Sequence, residues 1–254
     1  MEFSDIFREE RYYCNHLFRL LCHEKETGGA KSGLAEVLSA LDCDTKVTPA
    51  NVAASEIYTE VAVLRDIYFR EAAKDAFVDK LYDQFLPIIK GQLKIGDTNP
   101  ILPSQIRAKL GRLHPSKYAF GVRKTSNNPL DIRFYREYSA LFSAKPDFLV
   151  IFEDTMFWFE AKCEEKFDPD QLRRTRNIAR LCSSDLFKNY FENRNYLIVL
   201  IGSDEPHHKS LVSHKFLSWE QCSKISERIL PGGADNYTTK SLRKMLELDH
   251  SARD

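Results

Sequence analysis

The chain has 254 residues, enough for one large domain or two small ones, and its 43% apolar residues can bury a real core. Lys plus Arg and Asp plus Glu both number 37, so the formal net charge is zero. That balance argues against a nonspecific DNA coater but leaves room for local basic patches. The six cysteines, Cys14, Cys22, Cys43, Cys163, Cys182 and Cys222, form no CxxC pair. A zinc ribbon is therefore disfavoured, and no disulfide framework is implied. The acidic start Met1-Glu2-Phe3-Ser4-Asp5 lacks a signal-peptide apolar region, and runs such as Phe148 to Phe152 are too short to span a bilayer. The expectation is a soluble cytoplasmic protein with no membrane partner.

In chain order, residues 5–23 place Ile6, Phe7, Tyr13, Leu17, Leu20 and Leu21 at helical spacing, with Arg8, Glu9, Glu10 and Arg11 between them. Gly28-Gly29 breaks this helix, a second short one is expected at residues 31–41, and Thr48-Pro49 reads as a cap and first turn. From Asn51 to Ile89 the spacing of Val52, Ile57, Val61, Leu64 and Ile67, then Phe77, Leu81, Phe85 and Ile88, predicts one long helix or two in succession. Pro87 and Gly91 mark its end. Residues 96–130, rich in Gly, Pro, Asn and Ser, form the loosest stretch, with one short helix at Ser104 to Leu113.

After Leu130 the character changes. Phe148-Leu149-Val150-Ile151-Phe152 suits a buried strand, Glu153-Asp154-Thr155 a tight turn, and Met156 to Cys163 a second strand completing a hairpin. Asp168 and Pro169 read as N-cap and first position of a helix to Leu181. Tyr196 to Ile201 is another buried strand ended by Gly202, and Trp219 to Leu230 is helical. The expected division is a mainly helical N-terminal region at 1–115 and a core at 116–254.

Chemistry concentrates on the second strand. Side chains alternate with period two, so Glu160 and Lys162 share a face with Trp158, while Phe157, Phe159, Ala161 and Cys163 point into apolar packing. A carboxylate and an ammonium inside an apolar strand are costly unless paired or used. In a hairpin with a short turn, Asp147 at the start of one strand comes near Glu160 and Lys162 at the end of the next. Two carboxylates and a lysine converging there suit phosphodiester hydrolysis with a hard divalent cation.

Pro146-Asp147, a gap of thirteen positions to Glu160, and then Glu160-Ala161-Lys162 resemble the PD-(D/E)xK nuclease motif. The resemblance covers residues 130 to about 202. It implies an α/β fold with a restriction-endonuclease-like mixed central β-sheet flanked by helices. It also implies a metal-dependent DNA endonuclease, with restriction, repair and anti-phage defence as settings, in which Asp147 and Glu160 hold Mg2+ or Mn2+. Lys162 would orient the attacking water or stabilise the transition state, and Gln171 on the following helix would support the site. Arg173, Arg176 and Arg180, on one face of that helix, are candidates for phosphate contacts. The family's upstream helical acid has four candidates here, Glu60 first, then Glu56, Glu71 and Glu137. RNA cleavage stays open, as does a noncatalytic nucleic-acid-binding or protein-interaction role on the same fold. The N-terminal helical region is the candidate surface for a homodimer or a protein partner. His207-His208 and the pair His16 and His23 read as surface or packing residues, not metal ligands.

Overall fold

The computed structural model describes residues 10–24, 32–43, 46–93, 98–162, 166–206 and 214–251. The first helices are α1 (Glu10–Leu21), α2 (Ser32–Ala40) and α3 (Pro49–Ala53), followed by strand β1 (Glu56–Thr59). Helices α4 (Val63–Arg70), α5 (Lys74–Leu93), α6 (Pro103–Leu110), α7 (Tyr118–Thr125) and α8 (Pro129–Leu141) come next. Strands β2 (Phe148–Phe152) and β3 (Thr155–Ala161) lead into α9 (Pro169–Cys182) and the short α10 (Lys188–Phe191). The chain closes with β4 (Asn195–Gly202), β5 (His214–Ser218), α11 (Trp219–Ile229) and α12 (Tyr237–Ser251). The fold is α/β, a five-stranded mixed sheet flanked by helices.

Two compact units make up the chain: residues 1–60, 146–172 and 195–254 in one, 61–145 and 173–194 in the other. The first holds the sheet, in the order β1-β2-β3-β4-β5. β1, β2 and β3 are antiparallel neighbours, whereas β3 with β4 and β4 with β5 are parallel. The β2–β3 hairpin turns through Glu153, whose φ of 51° supplies the left-handed residue that tight hairpins need. Asn51 Nδ2 donates to the Glu153 carboxylate at 2.8 Å and fastens that turn.

Burial in this unit follows the two-residue period of strands. Phe148, Val150 and Phe152 of β2, Phe157, Phe159 and Ala161 of β3, Val199 and Ile201 of β4 and Leu217 of β5 share one face. They join a core with Leu17 and Leu20 of α1, Val37 of α2, Cys222 of α11 and Leu242 of α12. Leu149, Trp158, Glu160, Ile198 and Leu200 fall on the opposite face and are buried as well. A strand covered on both faces reads as a continuous apolar run, as β2 and β3 do.

The second unit is helical and packed through aromatic rings. Phe134 makes ring contacts with Tyr82, Phe85, Tyr135 and Tyr138. Three of its tyrosine hydroxyls donate to carbonyls: Tyr138 to Val78 at 2.9 Å, Tyr135 to Ile101 at 2.6 Å and Tyr82 to Pro100 at 2.7 Å.

Several expectations change. The helix foreseen from Asn51 to Ile89 is interrupted by β1, which pairs Glu56 to Thr59 with Ile151 to Phe148. Helix-like spacing over so short a stretch is a weak prior, and pairing with a buried neighbour overrides it. Pro87 does not end α5, which runs on to Leu93. The ring sits on an exposed side, where water can satisfy the freed carbonyl. Residues 96–130 are not mainly loop, since α6 and α7 lie within them. β5 and α12 have no counterpart in the sequence reading. The two units also cross the 115/116 division, because β1 joins the sheet from the N-terminal side. Cys163, His207 and His208 lie outside the described residues.

Candidate functional site

Asp147 immediately precedes β2 and is fastened to β3 twice. Its N–H donates to the Phe159 carbonyl at 3.1 Å, and its carboxylate Oδ2 accepts the Ala161 N–H at 2.7 Å. The two bonds fall on the residues either side of Glu160, so Asp147 brackets that residue. The Asp147 carbonyl in turn accepts the Glu60 N–H at 3.2 Å. Charge-assisted bonds of this kind are short and strong, and they fix a carboxylate at the sheet end.

Glu160 is 1% exposed, and Lys162, just past β3, is 9% exposed. Gln171, in the first turn of α9, donates from Nε2 to Glu160 Oε2 at 2.8 Å. Asp168 starts that helix: its carboxylate accepts the Asp170 N–H at 2.9 Å, and its carbonyl accepts the Leu172 N–H at 3.0 Å. The cap sets the phase of the helix and so brings Gln171 onto Glu160. The Lys162 N–H continues the parallel ladder to the Ile201 carbonyl at 2.8 Å, and the Lys162 carbonyl accepts the buried Trp219 indole N–H at 2.8 Å. The lysine backbone is thus clamped from both sides. At the end of β4, the ring of Phe167 lies 3.1 Å from where a Cβ on Gly202 would stand, so a glycine lets that ring close over the strand end.

The upstream acids are dispersed. Glu60 is one residue past β1, exposed, with φ 48°, in the left-handed region that costs a side-chain-bearing residue free energy. It is not on a helix, contrary to expectation, because β1 occupies that stretch. Glu56 begins β1 opposite Ile151. Glu71 accepts from Tyr190 at 3.0 Å within the helical unit. Glu137 is buried on α8, with Arg173 at 3.1 Å, Arg136 at 3.5 Å and Arg174 at 4.0 Å.

The arginine set of α9 is redrawn accordingly. Arg173 is engaged with Glu137, Arg176 is half-buried and Arg180 is exposed, so the three do not form one uniformly open face. Among the described residues, no group of three or more His, Cys, Asp or Glu gathers in a way that could hold a metal ion. Trp219 and Phe167 were missed in the sequence. Nothing local marks an indole after an apolar strand as the donor to a carbonyl some fifty residues earlier.

Compared with known proteins, the chain matches no family model, no curated protein and no solved structure.

Proposed function

We propose that the chain is a divalent-metal-dependent nuclease of the PD-(D/E)xK type, hydrolysing phosphodiester bonds of DNA. The observation that carries the reading is the bond from the Ala161 N–H to the Asp147 carboxylate. It ties the first acid of the motif to the residue between its second acid and its lysine. The strand order supports the reading too. Antiparallel β1-β2-β3 followed by a helix and a parallel strand is the order expected of a restriction-endonuclease-like core, here with residues 61–145 between β1 and β2.

The donor set fits a hard cation. Asp147 and Glu160 offer carboxylate oxygens, and the Ala161 carbonyl lies on the chain between Glu160 and Lys162. A carboxylate has about four lone-pair sites, so one that accepts a hydrogen bond can still ligate a cation. Mg2+ and Mn2+ keep several waters when bound, so two carboxylates from the protein can suffice. When bound, the ion polarises the phosphate and lowers the pKa of a bound water.

The chain's own groups do the rest. Gln171 holds one oxygen of Glu160 and orients the carboxylate. Lys162, its backbone clamped by Ile201 and Trp219, presents its ammonium to the attacking water or to charge developing on the phosphate. Glu60 is our choice for the upstream acid, since it shares a backbone hydrogen bond with Asp147 and sits in a strained conformation beside it. The test is cleavage of plasmid, single-stranded DNA and RNA, with and without Mg2+ or Mn2+, by the wild type and by Lys162→Ala. The expected result is metal-dependent cutting that the variant loses. Cutting by Lys162→Ala at the wild-type rate would overturn the proposal, and binding without any cutting would favour a noncatalytic nucleic-acid-binding protein.

A further inference from the structure

The zero net charge of the chain conceals a segregation. Residues 61–145 and 173–194 carry 21 Lys and Arg against 10 Asp and Glu, a net +11. The sheet unit carries 16 against 27, a net −11. A unit of barely more than a hundred residues with that excess is self-repelling, and an anionic partner relieves the repulsion. We infer that the helical unit is the nucleic-acid-binding element, and that Arg136 and Arg174, beside the Glu137–Arg173 pair, form its principal phosphodiester site. The inference rests on the nuclease reading for the identity of the polyanion.

Glu137 is 3% exposed, and three guanidiniums from two helices are set about its carboxylate. Arg173 is the nearest of the three to Glu137, and one carboxylate cannot also neutralise Arg136 and Arg174. Glu137 therefore works as an anchor for the cluster, while the terminal N–H donors of Arg136 and Arg174 serve a second anion. Arg136 is 65% exposed and Arg174 is 33% exposed, so both stay reachable from water. The same unit also exposes aromatic faces. Phe69 is 61% exposed and stacks on His114 at 28°, and Lys124 lies 4.3 Å above the ring of the exposed Phe120. Open rings among cations suit unpaired bases, which an anionic membrane surface does not offer.

The experiment is a salt titration of binding by the full chain. It uses a labelled single strand and its duplex in EDTA, which stops any metal-dependent cutting. Each phosphate contact contributes about 0.9 to the slope of log affinity against log salt for duplex and about 0.7 for single strands. Arg136→Gln with Arg174→Gln should therefore make the slope shallower by about 1.4 to 1.8. The corresponding Lys substitutions should restore it, and Phe69→Ala should weaken single-strand binding without changing it. Lys224→Gln with Lys240→Gln, two exposed cations of the sheet unit, should leave it unchanged. If the double glutamine variant fails to fold, the single exposed Arg136→Gln change carries the test. An unchanged slope, an equal fall in the lysine control, or binding to anionic vesicles with none to oligonucleotides would overturn the inference. Wild-type cleavage with an unchanged slope removes this site and leaves the nuclease reading standing. A slope that falls as stated, without any cleavage, does the reverse.

Discussion

The indole N–H of Trp219 donates to the main-chain carbonyl of Lys162 at 2.8 Å, and both residues are buried. Trp219 is the first residue of α11, held there by the capping box of Ser218 and Gln221. The position of the lysine thus depends on a helix start more than fifty residues later in the chain. Trp219→Phe keeps most of the ring packing and leaves the carbonyl without its donor. The expected cost is about 1–3 kcal/mol of stability, read as a lower urea midpoint with unchanged slope, together with reduced cleavage. A midpoint equal to wild type would mean that the bond contributes nothing.

Asp147→Asn and Glu160→Gln each keep an oxygen that can accept the present hydrogen bonds, from Ala161 and Gln171 respectively. Both variants should therefore fold while losing cleavage and weakening Mn2+ binding in calorimetry. Lys162→Ala should lose cleavage with a smaller change in metal affinity, because an ammonium is not a ligand. Gln171→Ala should slow cleavage about tenfold, the loss of one hydrogen bond to a charged group. A structural ion pair would give another pattern, in which melting temperature falls and activity follows it only as the protein unfolds.

His16 gives the fold a pH dependence. Burial, and then the nearby Arg19, push its pKa down from 6.5 to about 4. The ring sits against Tyr12 and Tyr237, with Nδ1 3.3 Å from the Thr238 hydroxyl. Because the folded value is depressed, the unfolded chain binds the proton first. Stability is fully present above pH 6.5 and is lost as pH falls towards about 4. The loss is on the order of 3 kcal/mol. His16→Phe keeps a ring there without titrating, so its denaturation midpoints at pH 7 and pH 4.5 should differ less than those of the wild type. Equal differences would refute the assignment.

Gly33 allows α1 and α2 to touch. A Cβ built there would stand 1.7 Å from the Leu20 carbonyl oxygen, which is backbone and cannot swing aside. Gly33→Ala should cost about 1–3 kcal/mol or more through forced helix displacement. Gly91→Ala, with open space around the position, should not destabilise and serves as the control. Matching melting curves for the two variants would argue against this close approach.

What the sequence determined by itself was local. The apolar runs of β2 and β3, the turn at Glu153, the Thr48-Pro49 cap and the Asp168-Pro169 start of α9 are all legible because strand period, turn chemistry and caps act within a few residues. The same locality made Asp147, Glu160, Lys162 and Gln171 readable as one candidate set. Contacts set by distant partners were not readable. Glu56 to Thr59 follow helical spacing in the sequence and become a strand because β2 offers an edge to pair with. Glu60 thereby leaves its expected helix, and Arg173 turns to a buried Glu137 that comes from another helix. Trp219 reaches Lys162 only after β5 and α11 have packed on the sheet. The charges were countable from the start, but their separation into an acidic and a basic unit exists only in the fold. Acidic segments 1–60 and 146–172 alternate with basic segments 61–145 and 173–194 along the sequence, and tertiary packing is what sorts them.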